Sequence, residues 1–337
     1  MKTYNKPIFF KSNRVYRIYT GGKLFSEFFG DNSTDGFYPE EWVCSVTKAL
    51  NFGSTDENEG VSVTEDGEYF DKLMSEHKEE LLGNREEFGI LVKILDSAIR
   101  LPVQAHPDRE FSLKHFNTTH GKTESWIVLA TRENACIYFG FKEKFTKEEF
   151  FKALNSGEEA LLPMLNCVPV KTGDVFFIPG KAVHAIGAGC LILEVQEPTD
   201  FTIQPEQFCG DYKLNDYEKY LGLSPEDAME CFNMEFLAED AKKCSRSCEG
   251  DVTELITKKD TPCFSINRYC VNKDKSQGVS GPAVYVVTEG EGEISGDGYN
   301  HTLKKGDYFF MPYAAKENFT VKSENGLQLV ECLPPEN

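Results

Sequence analysis

The chain has 337 residues, of which 40% are hydrophobic and 27% charged, and its formal net charge is −19. This length allows two domains. The negative charge argues against nucleic-acid and anionic membrane partners, because like charges repel. No apolar run approaches the roughly 18 residues that a membrane span needs, and the segment MKTYNKPIFFKSNRVYRIY lacks the apolar core of a secretory signal.

The cysteines favour a reducing compartment. There are eleven of them, scattered singly without a regular framework. A chain of this size does not need disulfides for stability. We therefore expect reduced thiols and a cytoplasmic protein.

Short β-like runs and capped helices alternate along the chain. Residues 1–55 read as short strands separated by turns, and the scattered apolar positions of 64–83 predict a surface helix. Further helices are predicted from the cap at Asp108 to about 117, from the Thr146–Glu149 capping box to about 155, and from Ser224-Pro225 onward. Strand patterns return from about residue 250.

Four polar residues in three β-rich segments form a candidate metal site. Gln104 and His106 lie two residues apart in LPVQAHPD, so on a strand they point to the same side of a sheet. Glu124 and His184 are expected to arrive from neighbouring strands. Two imidazoles, a carboxylate and an amide oxygen suit a zinc-like divalent ion that keeps an open position, as catalytic sites do.

The segment that precedes His184 is repeated in similar form later in the chain. KKGDYFFMP at 304–312 repeats the pattern of KTGDVFFIP at 171–179. This internal repeat suggests two related barrels. No histidine follows the second copy as His184 follows the first, so we expect the second barrel to shape the pocket and not to bind metal.

The order of these motifs resembles that of one family. QAHPD, GKTE, GDVFFIPGKAVHA and EVQEPTD occur as in the type I mannose-6-phosphate isomerases of the cupin superfamily, in particular the short bacterial form. YRIYTGG at 16–22 and LVKILDSA at 91–98 add to the likeness. The resemblance implies a mainly β chain with helical insertions and two cupin (jelly-roll) β-barrels, the first of which carries the metal.

The resemblance also implies boundaries and a cofactor. A catalytic cupin domain with helical insertions would span 1–245, and a metal-free C-terminal cupin domain 246–337. One Zn²⁺ per chain would be bound by Gln104, His106, Glu124 and His184. The reaction would be aldose–ketose isomerisation, most simply mannose 6-phosphate to fructose 6-phosphate.

Two positions depart from the family pattern. The family continues from the residue at Asp200 to an arginine four residues on, where this chain has Gln204. The family often has a serine two residues before the metal-binding glutamine, and here that residue is Pro102. Both changes remove groups that the resemblance associates with a charged substrate.

Isomerisation also needs a group that moves a proton between adjacent carbons. The resemblance favours Lys122 and Asp200 as functional, and Glu194 either acts directly or orients a ligand histidine. Cations beside the motifs are candidates for a phosphate. The catalytic candidates are thus Lys122, Asp200 and Glu194, and the substrate-binding candidates are Lys122, Lys181, Gln204 and Arg100.

Other functions remain open at this point. A cupin that keeps its metal but only binds or senses a sugar is favoured by Gln204, because a fixed cation is missing where an oxyanion would develop. An isomerase of a different sugar is a further alternative. A metal-dependent dioxygenase fits less well, because such iron sites more often use a set richer in histidine.

Overall fold

The structure is a computed structural model. It describes residues 4–247, 253–296, 298–316 and 318–336. Within these ranges, no helix combines the length and the apolar character that crossing a bilayer requires.

Strands dominate the described part of the chain, and their pairing is antiparallel throughout. They are β1 Ile8–Phe9, β2 Arg14–Val15, β3 Glu40–Val43, β4 Leu91–Ser97, β5 Glu124–Thr131, β6 Cys136–Phe141, β7 Leu165–Pro169, β8 Asp174–Ile178, β9 His184–Ile186, β10 Cys190–Gln196, β11 Phe208–Cys209, β12 Tyr212–Lys213, β13 Ser245–Ser247, β14 Glu254–Ile256, β15 Ser265–Val271, β16 Gln277–Val279, β17 Ala283–Gly296, β18 Tyr299–Lys304, β19 Tyr308–Met311, β20 Phe319–Lys322 and β21 Leu327–Leu333.

Short helices are inserted between the strands. They are α1 Lys23–Phe29, α2 Phe70–Glu76, α3 Lys78–Leu82, α4 Arg109–Phe116, α5 Lys147–Ser156, α6 Glu158–Leu161, α7 Asp216–Tyr220, α8 Pro225–Met229 and α9 Ala238–Lys243, with 3₁₀ turns at Leu162–Met164 and Tyr313–Ala315. The predicted class, mainly β with helical insertions, is confirmed.

Two sheets enclose the polar site. Seven strands run in the order β13-β8-β5-β10-β4-β3-β2, and a smaller sheet has the order β7-β6-β9. Between them lies an apolar cluster that includes Trp126, Phe139 and Phe176. Side chains on the inner face of the large sheet therefore point into a cavity that the small sheet closes.

A third sheet occupies the C-terminal part. Its backbone order is β1-β19-β17-β21-β15-β14, with β16, β18 and β20 attached beside β17. Its interior is apolar and includes Phe309, Met311 and Phe319. Its other face packs on the outer face of the seven-stranded sheet, where Phe310 and Leu193 belong to one buried cluster.

The predicted helix caps are confirmed. Asp108 caps α4 by accepting from the Phe111 amide, Thr146 and Glu149 form a reciprocal capping box on α5, and Ser224 caps α8. The helix predicted over 64–83 is shorter and divided, because α2 begins at Phe70 and a break at His77 separates it from α3.

The described cysteines carry free thiols. They are Cys44, Cys136, Cys167, Cys190, Cys209, Cys231, Cys244, Cys263, Cys270 and Cys332.

Candidate metal centre

Side chains alternate between two sides along the extended segment 103–106, and this places two predicted ligands in the cavity. Val103 and Ala105 are buried in the apolar cluster beside the helices, so Gln104 and His106 face the opposite side and line the cavity. The Gln104 backbone bonds the His184 backbone in both directions, at 2.9 and 3.0 Å. The two side chains share one side, as the period-two argument predicted, and the backbone bonds join the segment to β9.

Three of the predicted ligands converge. His106 Nε2 lies 3.2 Å from Glu124 Oε2 and 3.2 Å from His184 Nε2, and His184 Nε2 lies 3.5 Å from Glu124 Oε1. All three side chains are buried, and one ligand atom from each lies within 4.8 Å of the others. The arrangement is the size of one metal coordination sphere.

Backbone carbonyls hold both imidazoles by their other nitrogen. His106 Nδ1 lies 2.9 Å from the Phe201 carbonyl oxygen, and His184 Nδ1 lies 2.9 Å from that of Ala182. Burial lowers the pKa of both histidines, and the Lys122 cation lowers that of His106 further. Both rings are therefore neutral, with the Nε2 lone pair directed into the site.

The Glu124 carboxylate fits a bound cation. Both its oxygens are buried and accept no hydrogen bond, although Lys122 Nζ lies 3.4 Å from Oε2. An unsatisfied buried carboxylate is costly, and a divalent ion would satisfy it. The described residues therefore fit a metal on the chemistry of their donors.

A charged row crosses the floor of the cavity. Glu194 is in register with Lys93 of β4 on one side and Trp126 of β5 on the other. Its carboxylate accepts from Trp126 Nε1 at 3.1 Å, and Lys93 Nζ lies 3.4 Å away. The row places a carboxylate and an ammonium beside the three converging ligands.

The two charges differ in how firmly they hold their protons. Burial raises the pKa of Glu194, and the nearby Glu124 carboxylate raises it further. Burial alone would lower the pKa of Lys93, but Glu40, Glu194 and Asp200 raise it. Glu194 is therefore the group on this floor that exchanges a proton more easily.

Arg17 forms a second wall of the cavity. Its guanidinium donates to Asp200 at 3.1 and 3.2 Å and to Asn51 at 2.9 Å, and its Nε lies 3.0 Å from Glu40. The Leu50 amide also donates to Asp200, at 2.8 Å. Asp200 thus lies at the cavity, as predicted, with both its carboxylate oxygens in use.

The predicted substrate-binding residues are distributed unevenly. Lys122 and Gln204 line the same cavity, of about 180 Å³, as His106. Arg100 and Lys181 are absent from its lining. Arg100 pairs with Glu206 and Glu158, and Lys181 has a left-handed φ of 68° with its Nζ 5.9 Å from the centre of the Phe111 ring.

Sequence reasoning missed Arg17, Lys93 and Glu40. Lys93 carried a signal, because it is the one charged residue in the apolar run ILVKIL, and a charge in a buried strand needs a partner. Arg17 and Glu40 lie in short segments whose partners are distant in sequence.

The chain is similar to known proteins over most of its length. No family model matches the chain. A mannose-6-phosphate isomerase of Streptococcus mutans is 32% identical over 320 residues, which cover 92% of this chain and 94% of the relative. A mannose-6-phosphate isomerase of Bacillus subtilis is 31% identical, covering 93% and 95%.

Solved structures share the fold. The crystal structure of a mannose 6-phosphate isomerase from Bacillus subtilis gives a TM-score of 0.73 at 24% identity, covering 97% of this chain and 99% of that one. A putative mannosephosphate isomerase from Archaeoglobus fulgidus gives 0.74 at 20% identity, covering 98% of each.

Proposed function

Because this chain belongs to the mannose-6-phosphate isomerase family, we propose that it interconverts mannose 6-phosphate and fructose 6-phosphate with one zinc ion per chain. It is an aldose–ketose isomerase by family. The observation that carries the assignment to this cavity is the buried group His106, Glu124 and His184, with both Glu124 oxygens unsatisfied.

Gln104 completes the proposed ligand set. It lines the cavity next to His106 and is joined to His184 through the backbone. Nitrogen and oxygen donors without thiolate are typical of a catalytic zinc ion with an open position. When bound, the ion would stabilise the negative charge that develops on the substrate oxygens as a proton leaves carbon.

The protein groups supply the proton transfer and the remaining charge. Glu194 is our candidate for the acid/base, because it faces the cavity and burial raises its pKa above that of an ordinary carboxylic acid, which favours its holding a transferred proton. Lys122 Nζ, 2.9 Å from His106 Nε2, would place a cation beside the developing oxyanion. Asp200, held by Arg17, would help to place the neighbouring Phe201 carbonyl against His106 and would not carry the proton itself.

The proposal extends to organisation and location. A catalytic cupin domain over 1–245 and a metal-free one over 246–337 are supported by the apolar interior of the C-terminal sheet. A cytoplasmic location is supported by the free thiols of the described residues.

The first test is a coupled assay joined to metal analysis. Zinc-loaded protein should convert mannose 6-phosphate, while His106→Ala and His184→Ala should lose most of the metal and the activity, because each removes a direct bond. His301→Ala is the matched control, since this histidine lies in β18 away from the site. Full metal occupancy in both ligand variants would contradict the assignment.

A further inference from the structure

The cavity has a charged inner part and an outer part that is lined mostly by uncharged polar groups. Around the converging ligands, Lys93, Lys122 and Glu194 are buried. Toward solvent, the lining becomes partly exposed and its polar groups are mostly hydroxyls and amides. These outer residues are Tyr16, Asn51, Thr202, Gln204, Tyr212 and Tyr217.

Every cation of the described lining already has a carboxylate partner. Arg17 is paired with Glu40 and Asp200. Lys93 lies 3.4 Å from Glu194, and Lys122 lies 3.4 Å from Glu124. In the lining, three cations face five carboxylates, the fifth being Glu218.

The fifth carboxylate lies in the outer part. Glu218 accepts from the Tyr212 hydroxyl at 2.7 Å and from the Asn215 amide at 2.8 Å. Next to it, Lys219 is paired with Asp216 at 2.6 Å. A phosphate dianion that reached this end would therefore meet a carboxylate and no unpaired cation of the lining.

The outer groups suit a hydroxyl at least as well as a phosphate. Gln204 lines the cavity, and its Nε2 donates to the Glu218 carbonyl at 3.1 Å. Amides and phenols both donate and accept, as sugar hydroxyls do, whereas a phosphate only accepts.

We propose that this site recognises the far end of its substrate through uncharged groups and therefore isomerises the unphosphorylated aldose, mannose, with an efficiency within about 100-fold of that for the 6-phosphate. The inference rests on the proposed isomerase function and adds a second substrate class to it. Each charge-assisted hydrogen bond to a phosphate would favour the phosphorylated sugar by about tenfold or more. A site without such bonds should discriminate far less.

The test compares kcat/KM for mannose 6-phosphate and for mannose on the zinc-loaded full chain. We expect a ratio below about 100, the value that two charge-assisted bonds would already exceed. We also expect KM for the phosphosugar to change less than about threefold between low and high ionic strength. A ratio above that value, or a steep rise of KM with salt, would overturn the inference.

The outcomes separate the two proposals. Turnover of mannose 6-phosphate with negligible turnover of mannose would agree with the proposed function and contradict this inference. No turnover of either sugar, with metal bound, would instead contradict the proposed function.

A substitution makes the comparison sharper. Gln204→Arg adds an unpaired cation to the outer part and should raise the ratio about tenfold or more, mainly through KM for the phosphosugar. Gln277→Arg, on β16 in the C-terminal sheet, adds the same charge far from the cavity and should leave the ratio unchanged. An equal effect of Gln204→Arg on both sugars would contradict the assignment of Gln204 to the phosphate end.

Discussion

At the scale of single residues, Arg17 links the metal site to the rim of the cavity. It holds Asn51 on the rim and Asp200 on the far side. The residue after Asp200 is Phe201, whose carbonyl fixes the His106 ring. Arg17 is therefore placed to support the proposed metal site through Asp200.

The first prediction concerns this link. Arg17→Gln should weaken zinc affinity by about tenfold, in the range seen for groups that orient a ligand histidine. The folded chain should persist, because the change lies at one wall. Zinc affinity is measured by competition with a chelator, and Arg17→Lys should recover only part of it, since an ammonium cannot bridge three partners in one plane.

Arg14→Gln provides the control for Arg17. Arg14 lies in β2, three residues before Arg17, and pairs with Glu41 and Asp31, outside the cavity lining. Its loss should leave zinc affinity unchanged. Equal zinc affinity in Arg17→Gln and the unaltered chain would show that Asp200 and Phe201 keep their places without Arg17.

Residues in short motifs were predictable, and those held only by distant partners were not. Gln104 and His106 follow from strand alternation within one segment, which the burial of Val103 and Ala105 confirms. Arg17 meets Asp200 across 183 positions, and no local pattern encodes such a pair. Lys181 could be recognised as a cation near a motif, but its side chain direction depends on a left-handed backbone that the sequence left open.

At the scale of elements, local hydrogen bonding decided which boundaries could be predicted. Thr146 and Glu149 satisfy each other's backbone amides, so the start of α5 is set within four residues. The start predicted at 64 was wrong, because Gly67 closes a turn with φ 93° and its amide donates to Thr64. Glu65-Asp66-Gly67 carried the turn signal.

The second prediction tests the capping box. Thr146→Ala should lower the free energy of unfolding by about 1 kcal/mol, since the first amides of α5 lose their acceptor. Isomerase activity should stay the same, because Thr146 is exposed and absent from the cavity lining. Urea unfolding measures the first quantity and the coupled assay the second.

Ser156→Ala is the matched change at the other end of α5. The Ser156 hydroxyl donates only to the Lys152 carbonyl, so its loss should change stability by less than about 0.5 kcal/mol. A Thr146→Ala effect no larger than that of Ser156→Ala would show that the capping box adds nothing in this fold.

At the scale of the whole molecule, the two barrels differ in the character of their interiors. The first barrel keeps charges inside, and the C-terminal sheet encloses aromatic and aliphatic side chains. The repeated GD-x-FF-x-P pattern predicted related barrels, and its strands are β8 and β19. His184 follows the first copy of the pattern and no histidine follows the second, so the sequence indicated that the first barrel has the polar interior.

Buried charge makes the whole molecule sensitive to acid. Burial alone would raise the pKa of Glu40, but Arg17 and Lys93 outweigh it, and the pKa is lowered to about 2. The ordinary value is 4.5. Because the folded pKa lies below the unfolded one, the stabilisation by Glu40 is complete above pH 4.5 and is lost as the pH falls from there toward 2.

The last prediction isolates this contribution by comparing pH dependences. Glu40→Gln should be less stable at pH 7, because Arg17 and Lys93 lose a partner, and its free energy of unfolding should fall less steeply between pH 4.5 and pH 2 than that of the unaltered chain. Urea unfolding in the presence of a chelator, at a series of pH values, measures both slopes without the metal. Glu133→Gln is the control, because Glu133 is exposed in the turn between β5 and β6, so its curve should follow that of the unaltered chain. Parallel curves for Glu40→Gln and the unaltered chain would mean that Arg17 and Lys93 do not lower the pKa of Glu40 in the folded protein.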